Sequence, residues 1–475
     1  MTTLPLTENP AGELTRRQRL KVLAICCLSL VVVVMDISIV NVALPSMRTD
    51  LGATVTGLQW VIDAYTLVLA GFLVLAGSTA DRVGRRRVFQ IGLTIFGIGS
   101  LLCGLAPTIG LLIAARVVQA VGGTMLNPVA MGIVATTFTD PRERAKAIGV
   151  FASMSGLALA LGPIVGGALV DAFGWRAVFW INVPIVLTAI IGAALFVPES
   201  RAPHARRPDP IGQLFMVVLL GGVVYAIIES HRLGWGSPLV IGLLVASVLA
   251  LAGILIYEPR RDEPLLELRL FRSLPFSAAI LLAMCGFGAF AAFLFVNTQY
   301  LQDVRGLSPL ESGLCLLPLG AVVVLTAQLS GRMVAARGPL LPLLISGTAL
   351  IVGSVASLYI GPATPLPAIL AIYLLIGLFQ GMINTPITNT AVSGMPRAMA
   401  GLAASLASSG RQTGAALGVA IAGTILGSAV GAHGAEFTHA ALGVWWMLAG
   451  FGVAIVVLAL LSGLRQQDPD GAALG

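Results

Sequence analysis

Charge is scarce in this chain: Asp, Glu, Lys and Arg make up 10% of its 475 residues, against about a quarter in soluble globular domains. Lysine is nearly missing. Lys21 and Lys146 are the two that occur, neither within a Gly-Lys-Ser/Thr phosphate loop, and there is no His-Glu-x-x-His pair. The chain therefore lacks the signatures of nucleotide-driven pumps and of that class of zinc enzymes. Its five cysteines, Cys26, Cys27, Cys103, Cys285 and Cys315, lie in or beside apolar runs. They are too few for a disulfide framework and read as packing residues. The four histidines, His204, His231, His433 and His439, show no ligand spacing, so no metal, no cofactor and no catalytic group is expected.

What replaces charge is hydrocarbon and glycine: 57% of residues are apolar and 55 are glycine, with a mean hydropathy of +0.95. A spanning helix needs about 20 apolar residues. Hydropathy predicts an all-α membrane protein with fourteen transmembrane helices, the first eight near Leu20–Leu44, Leu58–Thr79, Val88–Ala106, Gly110–Ala135, Ala147–Val170, Ala177–Val197, Ile211–Ser230 and Pro238–Tyr257. The other six run near Phe276–Tyr300, Pro309–Ser330, Pro339–Ile360, Leu366–Ala391, Leu402–Leu426 and Leu442–Leu461. The first apolar run continues for a full span without a small-residue cleavage pattern, so no removable signal peptide is expected.

Most of the basic residues, from Arg16, Arg17, Arg19 and Lys21 through Arg82, Arg85–Arg87, Arg206, Arg207, Arg260, Arg261 and Arg397 to Arg465, fall in alternate loops. Positive-inside bias makes those loops and both termini cytoplasmic in a cytoplasmic, or inner, membrane. Trp60, Trp175, Trp235, Trp445 and Trp446 land at the opposite boundary, with Trp180 about a turn inside it. The +7 charge is thus a topology signal rather than a nucleic-acid footprint.

Glycine spacing repeats. Gly77 and Gly84 recur as Gly331 and Gly338, Gly123-x4-Pro128 as Gly381-x4-Pro386, and Gly149 as Gly401, each pair displaced by roughly 250 residues, which predicts two parallel six-helix halves. The resulting division is a cytoplasmic segment 1–19, a first half 20–197, a linker with two inserted helices 198–274, a second half 275–461 and a tail 462–475.

The run Met35-Asp36-Ile37-Ser38-Ile39-Val40-Asn41-Val42-Ala43-Leu44-Pro45 resembles the first-helix signature of the fourteen-spanner drug/proton antiporters of the major facilitator superfamily. Three further stretches extend the likeness. Gly77 to Arg87, with Asp81, Arg82, Gly84 and Arg85, resembles the superfamily's loop motif; Leu112 to Gly123, with Arg116 and Gln119, its fourth-helix motif; Gly156-x5-Gly162-Pro163-x2-Gly166-Gly167 its antiporter motif. Tyr300-Leu-Gln302 and Gly306-x-Ser308-Pro309 carry it, more weakly, into the second half. Met35, Ser38 and Ala120 depart from the usual residues, and Ala335 stands where the first loop motif has Asp81. The resemblance implies export of drugs or antibiotic-like organic compounds in exchange for protons, by a monomer in contact with lipid. A proton-coupled importer of a small organic solute is the alternative.

An ionisable group at mid-bilayer costs about 2.5–3.5 kcal/mol and ordinarily faces a partner or a wet cavity. Counting about 1.5 Å per residue, Asp36, Asp63 and Arg116 lie roughly 12, 7 and 9 Å below the outer ends of their helices, in one depth shell. Asp36 with Arg116 is either a proton switch or a fixed ion pair pinning helix one to helix four. Asp63 is either a counter-ion for cationic substrates or a polar group in a wet vestibule. Arg411 either binds backbone carbonyls or receives an anionic substrate group. The substrate cavity expected from these and the remaining intramembrane polar residues comprises Asn41, Asp63, Tyr65, Gln119, Asn127, Asn297, Gln299, Gln380, Asn384 and Arg411, although such residues equally serve as glue between helices. Glu229, outside both halves, reads as interfacial. Gly77, Asp81, Arg82, Gly84 and Arg85 form either a cytoplasmic gate or mere topological punctuation. Ala152, Gly156, Ala160, Pro163 and Gly167 of helix five repeat at three- and four-residue intervals and form one narrow face suited to close helix contact, while the antiporter motif adds Gly162 and Gly166.

Overall fold

The computed structural model describes residues 14–201, 209–261, 263–392, 400–429 and 434–466. The N-terminal segment to residue 13, the tail from residue 467, and His204, Arg206, Arg207, Arg397 and His433 lie outside the described residues.

Lipid offers no partner to backbone amides, so each crossing must satisfy them internally. Among the described residues the regular structure is helical throughout. In chain order α1 is Arg16–Leu51, α2 Val55–Val83, α3 Arg85–Leu105, α4 Ile109–Thr137, α5 Pro141–Phe173, α6 Ala177–Phe196, α7 Pro210–Leu233 and α8 Pro238–Tyr257. Then follow α9 Leu274–Val304, α10 Pro309–Arg337, α11 Leu340–Ser357, α12 Leu366–Val392, α13 Ala400–Leu426 and α14 Ala435–Ser462. Thirteen of these are both long and apolar enough to cross a bilayer. The fourteenth, α13, has the length at 27 residues, but Ser405, Ser408, Ser409, Arg411 and Gln412 dilute its hydrocarbon.

Helix starts follow capping chemistry. Thr15 and Ser308 form capping boxes with Gln18 and Glu311, and the Asp140 side chain accepts from the Arg142 and Glu143 amides. Proline explains three departures from the expected unbroken spans: α4 breaks at Met125–Leu126 ahead of Pro128, α6 at Ile181 ahead of Pro184, and α10 at Leu316 ahead of Pro318. Proline lacks an amide and crowds the preceding turn. Pro45, by contrast, is absorbed within α1, which runs on to Leu51.

The two halves repeat one packing scheme. α1 packs on α5 as α9 packs on α13, α2 on α4 as α10 on α12, and α3 on α4 and α6 as α11 on α12 and α14. Even the turns correspond, since Gly84 and Gly338 both carry positive φ, +127° and +77°. Between the halves run two seams exchanged by the repeat, α2 on α13 and α5 on α10. The extra pair α7 and α8 pack on each other, with α7 laid against α2 and α13.

The halves meet on the side away from the chain termini. There Gln59 donates to the Ala420 carbonyl (2.8 Å), Gln302 to the Val42 carbonyl (2.9 Å) and the Leu310 amide to Asp171 (3.0 Å), while Arg48 pairs with Asp303 (3.0 Å). One face of α5 records the change in spacing along the seam. Gly167 abuts Pro309, Pro163 abuts Gly313 and Ala160 abuts Gly320, but among the described residues a Cβ on Gly156 or Gly149 would meet nothing within 4 Å. The second half is therefore in contact with the far end of α5 and splayed from its terminal-side end.

Candidate functional site

Asp36 lies in the middle of α1 and is wholly buried. Its Oδ2 accepts from Arg116 of α4, and its Oδ1 from Gln119 Nε2 (2.8 Å) and Asn182 Nδ2 (2.9 Å) of α6. Gln119 also donates to Ser100 on α3 (2.8 Å) and accepts from Arg116 Nη1 (2.7 Å). Arg116 in turn donates through Nε to the Val61 carbonyl on α2 (3.0 Å) and lies 4.1 Å over the Tyr65 ring. One carboxylate thus joins five helices of the first half. Arg116, Gln119, Asn182 and Ser100 are each no more than 1% exposed, so the node is closed to bulk solvent in this state.

Two members of the node, Asn182 and Ser100, are absent from the sequence-derived set. Asn182 stands in an apolar stretch between Phe179 and Val197, which was its one available signal. The charges the sequence places at one depth are not all brought together. Asp63 sits two residues past Val61 on α2, about 200° around the helix, and so turns away from Arg116. It shares a face with Gln59, which reaches α13. Asp63 is fully buried, and among the described residues neither of its carboxylate oxygens accepts a hydrogen bond.

The rest of the expected cavity divides by location. Asn41 bonds the Ile37 carbonyl of its own helix (2.9 Å), and among the described residues the side-chain oxygens of Asn41 and Asn127 and the Tyr65 hydroxyl are buried without partners. In the second half Arg411 Nη1 donates to Asn384 Oδ1 (3.1 Å) and Thr388 Oγ1 (3.4 Å) on α12, and Gln380 lies one turn from Asn384. Asn297 and Gln299 lie apart from these, at the far end of α9, where Asn297 accepts from the Tyr373 hydroxyl and Gln299 bonds the Phe295 carbonyl. Glu229 accepts from Trp60 (3.3 Å) and Arg232 (2.9 Å), tying α7 to α2.

On the terminal side Asp81 accepts from Arg85 Nε and Nη2 (3.0 and 2.8 Å), Arg82 is exposed, and Gly77 faces Pro128. Glu199, after α6, completes the loop: it accepts from the Arg86 amide (3.1 Å) and crowds the position a Gly84 Cβ would need. On α5, Gly162 lies against Ser38 and Gly166 against Ile39 of α1, and Gly167 meets the second half.

Two repeat-related helical halves that meet at one membrane face, with a buried acid and base inside one of them, define an alternating-access membrane transporter. The chain belongs to the Major Facilitator Superfamily, whose family model matches residues 26–419. It is 34% identical to the multidrug resistance protein Stp of Mycobacterium tuberculosis (strain CDC 1551 / Oshkosh), over 82% of this chain and 72% of that one. It is 35% identical to the tetracenomycin C resistance and export protein of Streptomyces glaucescens, over 84% and 74%. To the puromycin resistance protein pur8 of Streptomyces alboniger it is 37% identical, over 78% and 74%. A bacterial homologue of the human lysosomal transporter Spinster, crystallised inward-facing and unoccupied, shares the fold at a TM-score of 0.65 and 17% identity, covering 95% of this chain and 98% of that one.

Proposed function

We propose that the chain is a proton-coupled antiporter that expels drug- or antibiotic-like hydrophobic organic compounds across the cytoplasmic membrane. The observation that carries this reading is the buried Asp36 node. A proton on Asp36 would remove the charge facing Arg116 and turn one acceptor oxygen into a donor, displacing the donors on that oxygen, Arg116 at Oδ2 or Gln119 and Asn182 at Oδ1. Because these bonds link α1 to α4 and α6, and Gln119 carries the link on to Ser100 of α3, the rearrangement acts on the packing of the first half. The names of the relatives supply the substrate class, and the arginine distribution supports a cytoplasmic terminal side. In that orientation the present state is open inward.

The domain division follows the repeat: a first half 20–197, inserted helices within 198–274 and a second half 275–461, with polar ends 1–19 and 462–475, working as a lipid-embedded monomer. Each proton entering brings about 2.3 kcal/mol per 100 mV and about 1.4 kcal/mol per pH unit, enough for concentrative export. Uptake of a chemically diverse drug panel into inside-out vesicles, with and without an imposed proton gradient, is the test. Gradient-dependent accumulation is expected; accumulation indifferent to the gradient would sink proton coupling, and gradient-driven movement in the other direction would make the protein an importer.

A further inference from the structure

We infer that Arg411 is the anion-binding element of a substrate subsite in the second half, and that the protein accepts aromatic organic anions. This rests on the exporter reading, and names a substrate class for it.

The first half neutralises its buried arginine, Arg116, with Asp36. Arg411 has no such counter-ion: among the described residues it forms no ion pair, and its hydrogen-bond partners are the neutral Asn384 and Thr388. Arg411 is partly buried, so water offsets some of the cost of holding its charge within a helical bundle, and the neutral acceptors return only part of the rest. Both bonds use Nη1, which leaves Nη2, on the other side of the planar fork, for a further acceptor. Two oxygens of one carboxylate match a guanidinium edge.

The surroundings of α13 fix where that fork points. Gly414 and Gly418 press on Met284 and Gly288 of α9, Thr424 bonds the Ile227 carbonyl of α7, and the Ala420 carbonyl takes Gln59 of α2. Arg411, three and seven residues before Gly414 and Gly418, shares their side of the helix, and its hydrogen bonds carry the guanidinium across to α12. There Gln380, Asn384 and Thr388, spaced four apart, share one face of a helix that is otherwise mostly apolar. Asn384 is exposed although it lies well inside a spanning helix, and Gln380 is 5% exposed with its Oε1 unpartnered. The Phe287 ring of α9 lies 5.7 Å from the guanidinium carbon, so a ligand held on the fork has an aromatic face beside it. A cation beside a phenyl ring suits an aromatic acid, while the unpaired Gln380 oxygen, an acceptor, takes a donor elsewhere on such a ligand.

The test uses full-length protein in phosphatidylcholine nanodiscs, which hold no anionic lipid. Affinity is measured by tryptophan quenching for naphthalene-2-carboxylate and naphthalene-2-carboxamide, alike in ring and size but not in charge. Wild type should bind the carboxylate about ten- to a hundredfold more tightly, as a charge-assisted bond implies. Arg411→Gln should abolish the preference for the carboxylate over the carboxamide, while Arg411→Lys should keep part of the difference. Equal affinities in wild type, a preference that survives Arg411→Gln, or no binding of either probe would each overturn the subsite. The wild-type comparison stands even where a variant misfolds. Failure here leaves the exporter reading intact, because that reading is decided by the drug panel in vesicles.

Discussion

Asp36 and Asp63 are both buried carboxyl groups in the first half, yet their surroundings differ completely. Asp36 is met by donors from Arg116, Gln119 and Asn182, whereas Asp63 has none. Replacing Asp36 with Asn keeps size but cannot exchange charge, so gradient-driven export should vanish while folded protein persists in the membrane; full export by that variant would remove Asp36 from the mechanism. Asp63→Asn takes away a group that touches the second-half side of α2, and should weaken export of cationic compounds well below that of neutral ones in the same vesicles. An equal loss for both kinds would argue against a recognition role. The charged half of the node was legible because an Asp and an Arg within apolar runs are costly and conspicuous. Asn182 and Ser100 were not, since a neutral polar side chain in a spanning helix is common packing material. Depth alone also misplaced Asp63: helical rise puts it level with Arg116, and helical rotation turns it away.

Helices pass close where glycine allows it, and two glycines carry element-scale consequences. Gly167 of α5 lies against the Pro309–Leu310 backbone of α10, so Gly167→Leu must push the halves apart at their far seam; coupled exchange should fall at least tenfold, or protons should leak, since overpacking costs about 1–3 kcal/mol. Normal coupled exchange in proteoliposomes would show that the seam tolerates separation. Gly84 is constrained twice over, by φ +127° and by the Glu199 carboxylate. Gly84→Val should therefore depress export of every substrate alike, and Asp81→Asn, which removes the negative charge that pairs with Arg85, should do so more mildly. Unchanged transport in both would reduce the loop to a topological marker. The motif glycines were readable from spacing, but which partner each one meets was not. The interruptions at Met125–Leu126, Ile181 and Leu316 follow from prolines that hydropathy averages over.

At the scale of the molecule, the repeat was written in the sequence as glycine spacing, and thirteen of the fourteen long helices as apolar length. The conformational state was not, because one set of helices serves every state and only the contacts between halves distinguish them. In this state the far side is fastened by Arg48 and Asp303, whose side chains are 19% and 10% exposed, backed by Gln302 on the Val42 carbonyl and Asp171 on the Leu310 amide. These contacts join α1 to the end of α9 and α5 to the start of α10, so they must part whenever the far side opens. Removing one costs the closed form alone, and about 1.4 kcal/mol shifts a two-state ratio tenfold. Arg48→Ala should therefore raise the population open on the far side. A cysteine placed at Ser312, buried within the α5–α10 seam, in a background lacking the native cysteines, reports that population through labelling by a membrane-impermeant maleimide. Labelling from the far side should rise about tenfold in Arg48→Ala and in Asp303→Ala, and fall back when the charges are exchanged as Arg48→Asp with Asp303→Arg. Labelling that stays at the wild-type rate in both single variants would mean that the helix seams, not this pair, hold the far side shut.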